Sequence, residues 1–324
     1  MRHRTYFTTL KLASLAALLF LVMGVSAWLS TLSPFSTSHA TVLFGGDMMF
    51  DRTIRIAMQE KGGDFIFSCI DEVLKDSDLV VANLEGPITS NPSVSVGTVP
   101  GGEGNYTFTF PPGTAALLFA HNIRMVNLGN NHTLNFGREG LAETKQLLRA
   151  AGVDFFGDPD LGESERVGRL LINGIQFSFV NWSDWTSDNT DHTVAQVRME
   201  SGMGRVVVVY THWGEEYEPS SERMKTLARQ FVDAGASLVV GSHPHIIQER
   251  EEYRGTTIYY SLGNMIFDQY WEEAVRRGLM IRVTFGPSGV QHIEEIPVEL
   301  QRDRRTCPLV AAADYTHTPD LSKK

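Results

Sequence analysis

The feature that most constrains this chain is a set of five short apolar runs, each ending in residues able to bind a metal or move a proton. Val42–Gly45 runs into Gly46-Asp47, Leu79–Asn83 into Leu84-Glu85-Gly86, and Arg124–Leu128 into Gly129-Asn130-Asn131-His132. Arg205–Tyr210 leads to Thr211-His212-Trp213-Gly214-Glu215, and Leu238–Gly241 leads to Ser242-His243-Pro244-His245. The runs have strand length. Together with Thr257–Ser261 they alternate with helical stretches, clearest at Glu139–Ala151 and Glu222–Ala234, which Gly152 and Gly235 stop. Strands separated by helices form βαβ units, so an α/β fold with a parallel or mixed sheet is expected. Ligand sites of an open α/β sheet gather outside the carboxyl ends of its strands, which would bring the five loops to one edge. Near the end of the chain, Leu279–Phe285 and Val290–Val298 read as a hairpin about Gly286–Gly289. Thr89–Gly104, rich in Gly, Ser, Pro and Val, reads as a long loop, either a lid or an exposed excursion.

The residue types at these strand ends suggest the chemistry. Asp47, Glu85, His212, His243, His245 and the Asn131 amide make a mixed nitrogen and oxygen set without thiolates. Such a set suits Mn, Fe, Zn or Ni better than Ca or Cu(I). A shared carboxylate can bridge two such ions about 3.5–4 Å apart, the spacing that clamps a phosphoryl centre. In His243-Pro244-His245 the proline favours an extended His243, and residues two apart on an extended segment face the same side. Asn131 and His132 are adjacent and can divide the tasks of ligand and proton donor. Taken alone, Asp47 would be a turn residue, Glu85 a helix cap and His212 a hydrogen-bonded strand end; their company makes them a ligand set. His3, His39, His121, His192, His292 and His317 lack that company and read as surface or linker residues. Trp182 and Trp185 read as core residues rather than pocket walls.

Charge narrows the partners. The formal net charge is −10, and the first forty residues carry Arg2, Arg4 and Lys11 but no acidic group, so the body is more acidic still. Nucleic acid is not expected to bind such a body, and an anionic polymer would need metal ions to reverse the field locally. Residues 12–32 carry no charge and are long enough to span a bilayer as a helix. The basic flank before them puts the body outside the cytoplasm. The alternative is secretion after signal cleavage at Val25-Ser26-Ala27 or Ser38-His39-Ala40. The domain plan is therefore an anchor or signal segment with linker over 1–40, a body over 41–300 and a tail over 301–324. Cys69 and Cys307 leave open one disulfide or two free thiols, and neither lies in a CxxC pair.

Six segments carry a family resemblance: GDMMFDR (46–52), ANLEGPIT (82–89), LGNNHTLNFGREGLAET (128–144), HWGEEY (212–217), GSHPHIIQ (241–248) and YSLGNMIFD (260–268). In this order they resemble the CapA family of poly-γ-glutamate capsule synthesis over roughly residues 41–270. The resemblance implies a metallophosphatase-like two-sheet sandwich flanked by helices, often behind an N-terminal transmembrane helix. It also implies one or two divalent ions of the Mn, Fe or Zn type. By the same resemblance Asp47 and His245 serve the first metal, Glu85 bridges, and His212 and His243 serve the second. Asn131 is the amide ligand and His132 the neighbouring general acid. The sequence departs from the superfamily's usual Asp-x-His start, because Met49 stands where the histidine would. Either Asp51 takes its place or the first site has one ligand fewer. Two functions follow as expectations. One is a hydrolase or transferase acting on a phosphate ester or capsule polymer, with Arg52 and Glu215 contacting substrate. The other is a noncatalytic accessory subunit that holds nascent polymer or a membrane synthase.

Overall fold

The computed structural model describes residues 38–160, 166–186 and 190–309. In chain order its strands are β1 (Ala40–Met48), β2 (Leu79–Leu84), β3 (Ile123–Asn127), β4 (Asp154–Phe156), β5 (Gly168–Ile172), β6 (Ile175–Ser183) and β7 (Val206–His212). There follow β8 (Leu238–Ser242), β9 (Arg250–Tyr253), β10 (Thr256–Tyr259), β11 (Asn264–Ile266), β12 (Arg277–Gly286), β13 (Gly289–Leu300) and β14 (Thr306–Pro308). They form an eight-stranded sheet ordered β14-β13-β12-β1-β2-β3-β4, with β11 also beside β1, and a six-stranded sheet ordered β5-β6-β7-β8-β10-β9. β1 to β4 run parallel, as do β6, β7, β8 and β10, while the outer strands are antiparallel. The fold is mixed α/β, as expected. The five loops, however, do not belong to one sheet: three leave the first and two the second.

The period-two alternation of side chains explains the layering. In β1, Val42 and Phe44 face a core shared with Phe179 and Val208 of the second sheet, whereas Leu43 faces the core under the helices. In β7, Val206, Val208 and Tyr210 face the shared core, and Val207 and Val209 face helix Glu222–Asp233. Each central strand is thus apolar on both faces, which is why it reads as an unbroken Val-rich run. The Tyr210 hydroxyl donates to the Gly45 carbonyl at 2.6 Å and fastens the two sheets beside the strand ends. Helices Arg52–Lys61 and Gly137–Ala151 belong to the outer face of the first sheet, where Ile54, Ala57, Leu141 and Leu148 are buried in one cluster with Leu43 and Val80.

Several expectations need correction. The chain continues in the sheet beyond residue 300, with β14 antiparallel to β13, and Cys307 of β14 is bonded to Cys69. Of the two states open to the cysteines, the bridge is the one adopted. His121 is not a surface residue. It is 5% exposed, stacks on Phe67, and sits between the Asp71 and Asp64 carboxylates at 2.6 and 3.1 Å. The apolar run at 12–32 lies outside the described residues, among which no helix is long and apolar enough to cross a membrane. His3 and His317 also lie outside them.

Candidate metal centre

The carboxyl ends of the parallel strands supply the site. At the end of β1 the pairing with β2 slips between Phe44 and Asp47. Gly46 sits at this slip with its Cα against the Gly263 carbonyl, and an added Cβ would come within 1.8 Å of that oxygen. Only glycine fits, and the Asp47 N–H donates to the same carbonyl at 3.1 Å. Asp47 is thereby aimed inward and has no exposed surface.

Asp47, Glu85 and His245 are all buried and present ligand atoms within 4.8 Å of one another, a group that could hold a metal ion. His245 Nδ1 lies 3.4 Å from Asp47 Oδ2, and its Nε2 lies 3.5 Å from Glu85 Oε1. His132 Nε2 stands 3.9 Å from that same Glu85 oxygen. The His243 backbone N–H donates to Asp47 Oδ2 at 3.0 Å. His212 Nδ1 is 3.8 Å from Asp47 Oδ1, and its Nε2 is 2.9 Å from Asn131 Oδ1. The His212 and His243 rings are 4.8 Å apart. All seven strand-end residues proposed as metal or proton groups are thus linked by a chain of close contacts, with Asp47, Glu85 and His245 at its centre.

The electrostatics fit a cation. Burial favours a neutral Asp47, but the hydrogen bond and charge of His245, with His212 and the His243 N–H, hold its carboxyl well below the usual range. Burial and the neighbouring Asp47 charge push Glu85 well above it. Burial, reinforced by the other imidazoles, lowers His212 well below its usual value and His243 to about 3. Burial lowers His132 to about 4. These three imidazoles are neutral near pH 7, the form that offers a lone pair to a metal. Glu85 Oε1 and His243 Nδ1 are buried without a hydrogen-bond partner among the described residues. Each such atom costs on the order of 1–3 kcal/mol unless something satisfies it. A divalent cation held by Asp47, Glu85 and His245 would satisfy the Glu85 oxygen, so the residues present fit one.

Two details differ from the sequence-based expectation. The His243-Pro244-His245 loop is not extended: His243 has φ +98° and His245 φ +58°, conformations L residues rarely adopt. Strain of this kind concentrates at functional sites. Asp51 does not replace the missing histidine, because its carboxylate accepts from Arg55 Nε at 2.8 Å and from the Thr109 N–H at 2.9 Å. Glu215 is exposed, and the charge of its neighbour Glu216 helps raise Glu85. Arg52 is nearer. It pairs with Asp268 and lies over the Phe108 ring, and its charge is felt by both Glu85 and His132.

Sequence reasoning missed Asn83 and misplaced Trp185. The Asn83 amide donates to Asp47 Oδ1 at 2.8 Å and lies 3.4 Å from Glu85 Oε2, separating the two carboxylates. Its signal was its place two residues before Glu85, on the same side of an extended segment. Trp182 is a core residue as expected, but Trp185 is 46% exposed and lies over His243 with ring centroids 4.3 Å apart.

Fold and site together define a two-sheet α/β protein with a buried carboxylate–imidazole centre able to hold a metal ion. The model of the bacterial capsule synthesis protein family PGA_cap matches residues 41–269, and the chain belongs to that family. The capsule biosynthesis protein CapA of Bacillus anthracis is 27% identical to it over 308 residues, covering 87% of this chain and 74% of that protein. The PGA biosynthesis protein CapA of Bacillus subtilis (strain 168) is 26% identical over 287 residues, covering 82% and 73%. A probable polyglutamine synthesis accessory protein of Mycobacterium tuberculosis is 26% identical over 219 residues, covering 59% and 56%. The resemblance carried by the six motifs is borne out.

Proposed function

We propose that this chain is a metal-dependent hydrolase of the metallophosphatase-like kind that works in the synthesis of an anionic capsule polymer such as poly-γ-glutamate. The observation that carries the reading is the buried Asp47–Glu85–His245 group with an unpartnered carboxylate oxygen at the strand ends. Asp47, Glu85 and His245 would hold one ion, and Asn131, His212 and His243 would complete a second site. A bound divalent ion of the Mn, Fe or Zn type supplies Lewis acidity and a nucleophile at neutral pH.

The remaining work falls to the protein's own residues. The Asn135 amide oxygen accepts from the Phe108 N–H at 2.8 Å, which fixes its orientation, and lies 3.1 Å from His132 Nδ1. His132 therefore carries its proton on Nδ1 and turns the Nε2 lone pair towards Glu85. From there it would take a proton from the attacking water, whose oxygen bonds to the substrate, and pass it to the leaving-group oxygen as that oxygen's bond to the substrate breaks. Arg52, held in place by Asp268, offers positive charge to an anionic substrate in an otherwise acidic body. The Bacillus relatives are named for capsule and PGA biosynthesis, which is compatible with a polymer substrate or synthase partners. Residues 12–32 anchor the chain in a membrane with the body outside the cytoplasm. The Cys69–Cys307 bond supports this location, because disulfides persist in oxidising compartments.

The test is turnover of a generic phosphodiester and of poly-γ-glutamate by the purified full chain with Mn²⁺. His132→Ala should lose roughly 10²- to 10⁴-fold in kcat, the usual worth of a positioned proton-transfer group. His243→Ala should lose activity as well. Turnover equal to that of the unsubstituted chain in both variants would sink the proposal. Met49 favours a second reading, in which the site is structural and the chain is a noncatalytic accessory subunit; that reading expects no turnover in any variant.

A further inference from the structure

We infer that Asn264, in the YSLGNMIFD segment, is a positioning residue that fixes the tautomer of His245 and leaves its Nε2 free for a ligand. Asn264 opens β11, pairs with Asp47 across the parallel ladder and is 1% exposed. Three acceptors surround its amide nitrogen: the Val275 carbonyl at 2.9 Å, the Gln269 Oε1 at 3.0 Å and the His245 carbonyl at 3.3 Å. Gln269 is itself held, its Nε2 donating to the Tyr217 hydroxyl at 3.0 Å. Backbone carbonyls only accept, so the amide cannot be turned over without losing these bonds.

The Asn264 oxygen therefore faces His245 Nδ1, at 3.0 Å. An amide oxygen accepts and never donates, so Nδ1 carries the hydrogen. The other polar atom beside Nδ1, Asp47 Oδ2 at 3.4 Å, is also an acceptor and demands the same tautomer. The lone pair is left on Nε2, which faces the unpartnered Glu85 Oε1 at 3.5 Å. A histidine that binds a metal through one nitrogen commonly donates the other N–H to a fixed acceptor, and loss of that acceptor weakens metal binding. The consequence for metal binding rests on the proposed function; the tautomer does not.

The test uses the full chain with ¹⁵N-labelled histidine, metal-free, at pH 8, where ordinary imidazoles are neutral. Long-range ¹H–¹⁵N correlations, with His245 identified by its loss in His245→Gln, should show a protonated Nδ1 and a bare Nε2. A protonated Nε2 overturns the assignment. In Mn²⁺ titrations Asn264→Leu should weaken binding about 10- to 100-fold. Gln269→Leu, which leaves Asn264 anchored by two carbonyls, should stay close to the unsubstituted chain. Unchanged affinity in a folded Asn264→Leu variant overturns the positioning role. Should that variant not fold, the tautomer in the unsubstituted chain decides. A bare Nε2 in a chain that binds no Mn²⁺ supports the assignment while rejecting the metal reading.

Discussion

Met49 is the residue where this site departs from the Asp-x-His start of the superfamily it resembles, and its surroundings explain how the chain accommodates it. The side chain has no exposed surface, belongs to the core under the first sheet's helices, and accepts the Asp51 N–H on sulfur at 2.9 Å. It is committed to packing rather than to the cluster. Met49→His should therefore bury an imidazole among apolar groups and cost about 1–3 kcal/mol without adding a ligand. Urea melts and metal analysis of the variant check both parts, and an extra ion per chain would contradict this placement. At this scale the sequence was partly legible. Asp47, Glu85, His212, His243 and His245 stood out because each lies at or just past the end of an apolar run. His121 and Trp185 were misread because burial of a loop or helix-end side chain depends on neighbours distant in sequence, here Asp64 and Asp71 for His121 and His243 for Trp185.

At the scale of elements, the strands whose ends build the site were legible because they are continuous apolar runs buried on both faces. β4, β9, β11 and β14 were not, since each has only three or four residues and its pairing is decided by its neighbours. Helix Thr190–Gly202 escaped for another reason: it lacks a clear apolar stripe and is fastened by charge. Its Glu200 is fully buried and accepts from Arg169 of β5, Ser178 of β6 and Arg205 at distances of 2.6 Å. Burial opposes ionisation, but these hydrogen bonds outweigh it and depress the carboxyl from 4.5 to about 2. A depressed folded-state value means the contribution is complete above about pH 4.5 and fades as pH falls towards 2. Glu200→Gln should lose about 1–3 kcal/mol at pH 7, because the charge-assisted hydrogen bonds from the partly exposed Arg169 and Arg205 are weakened. It should also show a flatter decline in stability below pH 4.5, measured by urea midpoints. An identical slope in the two proteins would contradict the role given to Glu200.

At the scale of the whole molecule, the α/β class followed from alternating strands and helices, and the two-sheet arrangement was implied only by family resemblance. Periodicity cannot assign strands to sheets, so one converging edge was expected where two sheets meet instead. What brings the loops of both sheets together is long-range contact: Tyr210 to Gly45, Gly263 to Asp47, and the His243 backbone to Asp47. The result is a buried cluster of opposed carboxylates and neutral imidazoles in an acidic body. The most direct test of this centre is the metal content of the purified full chain after equilibration with Mn²⁺, Zn²⁺ or Fe²⁺ and gel filtration, measured by inductively coupled plasma mass spectrometry. The expected result is one or two ions per chain, with loss of at least one in Asp47→Ala and His245→Ala. No stoichiometric ion in the unsubstituted chain with any of the three metals would contradict it.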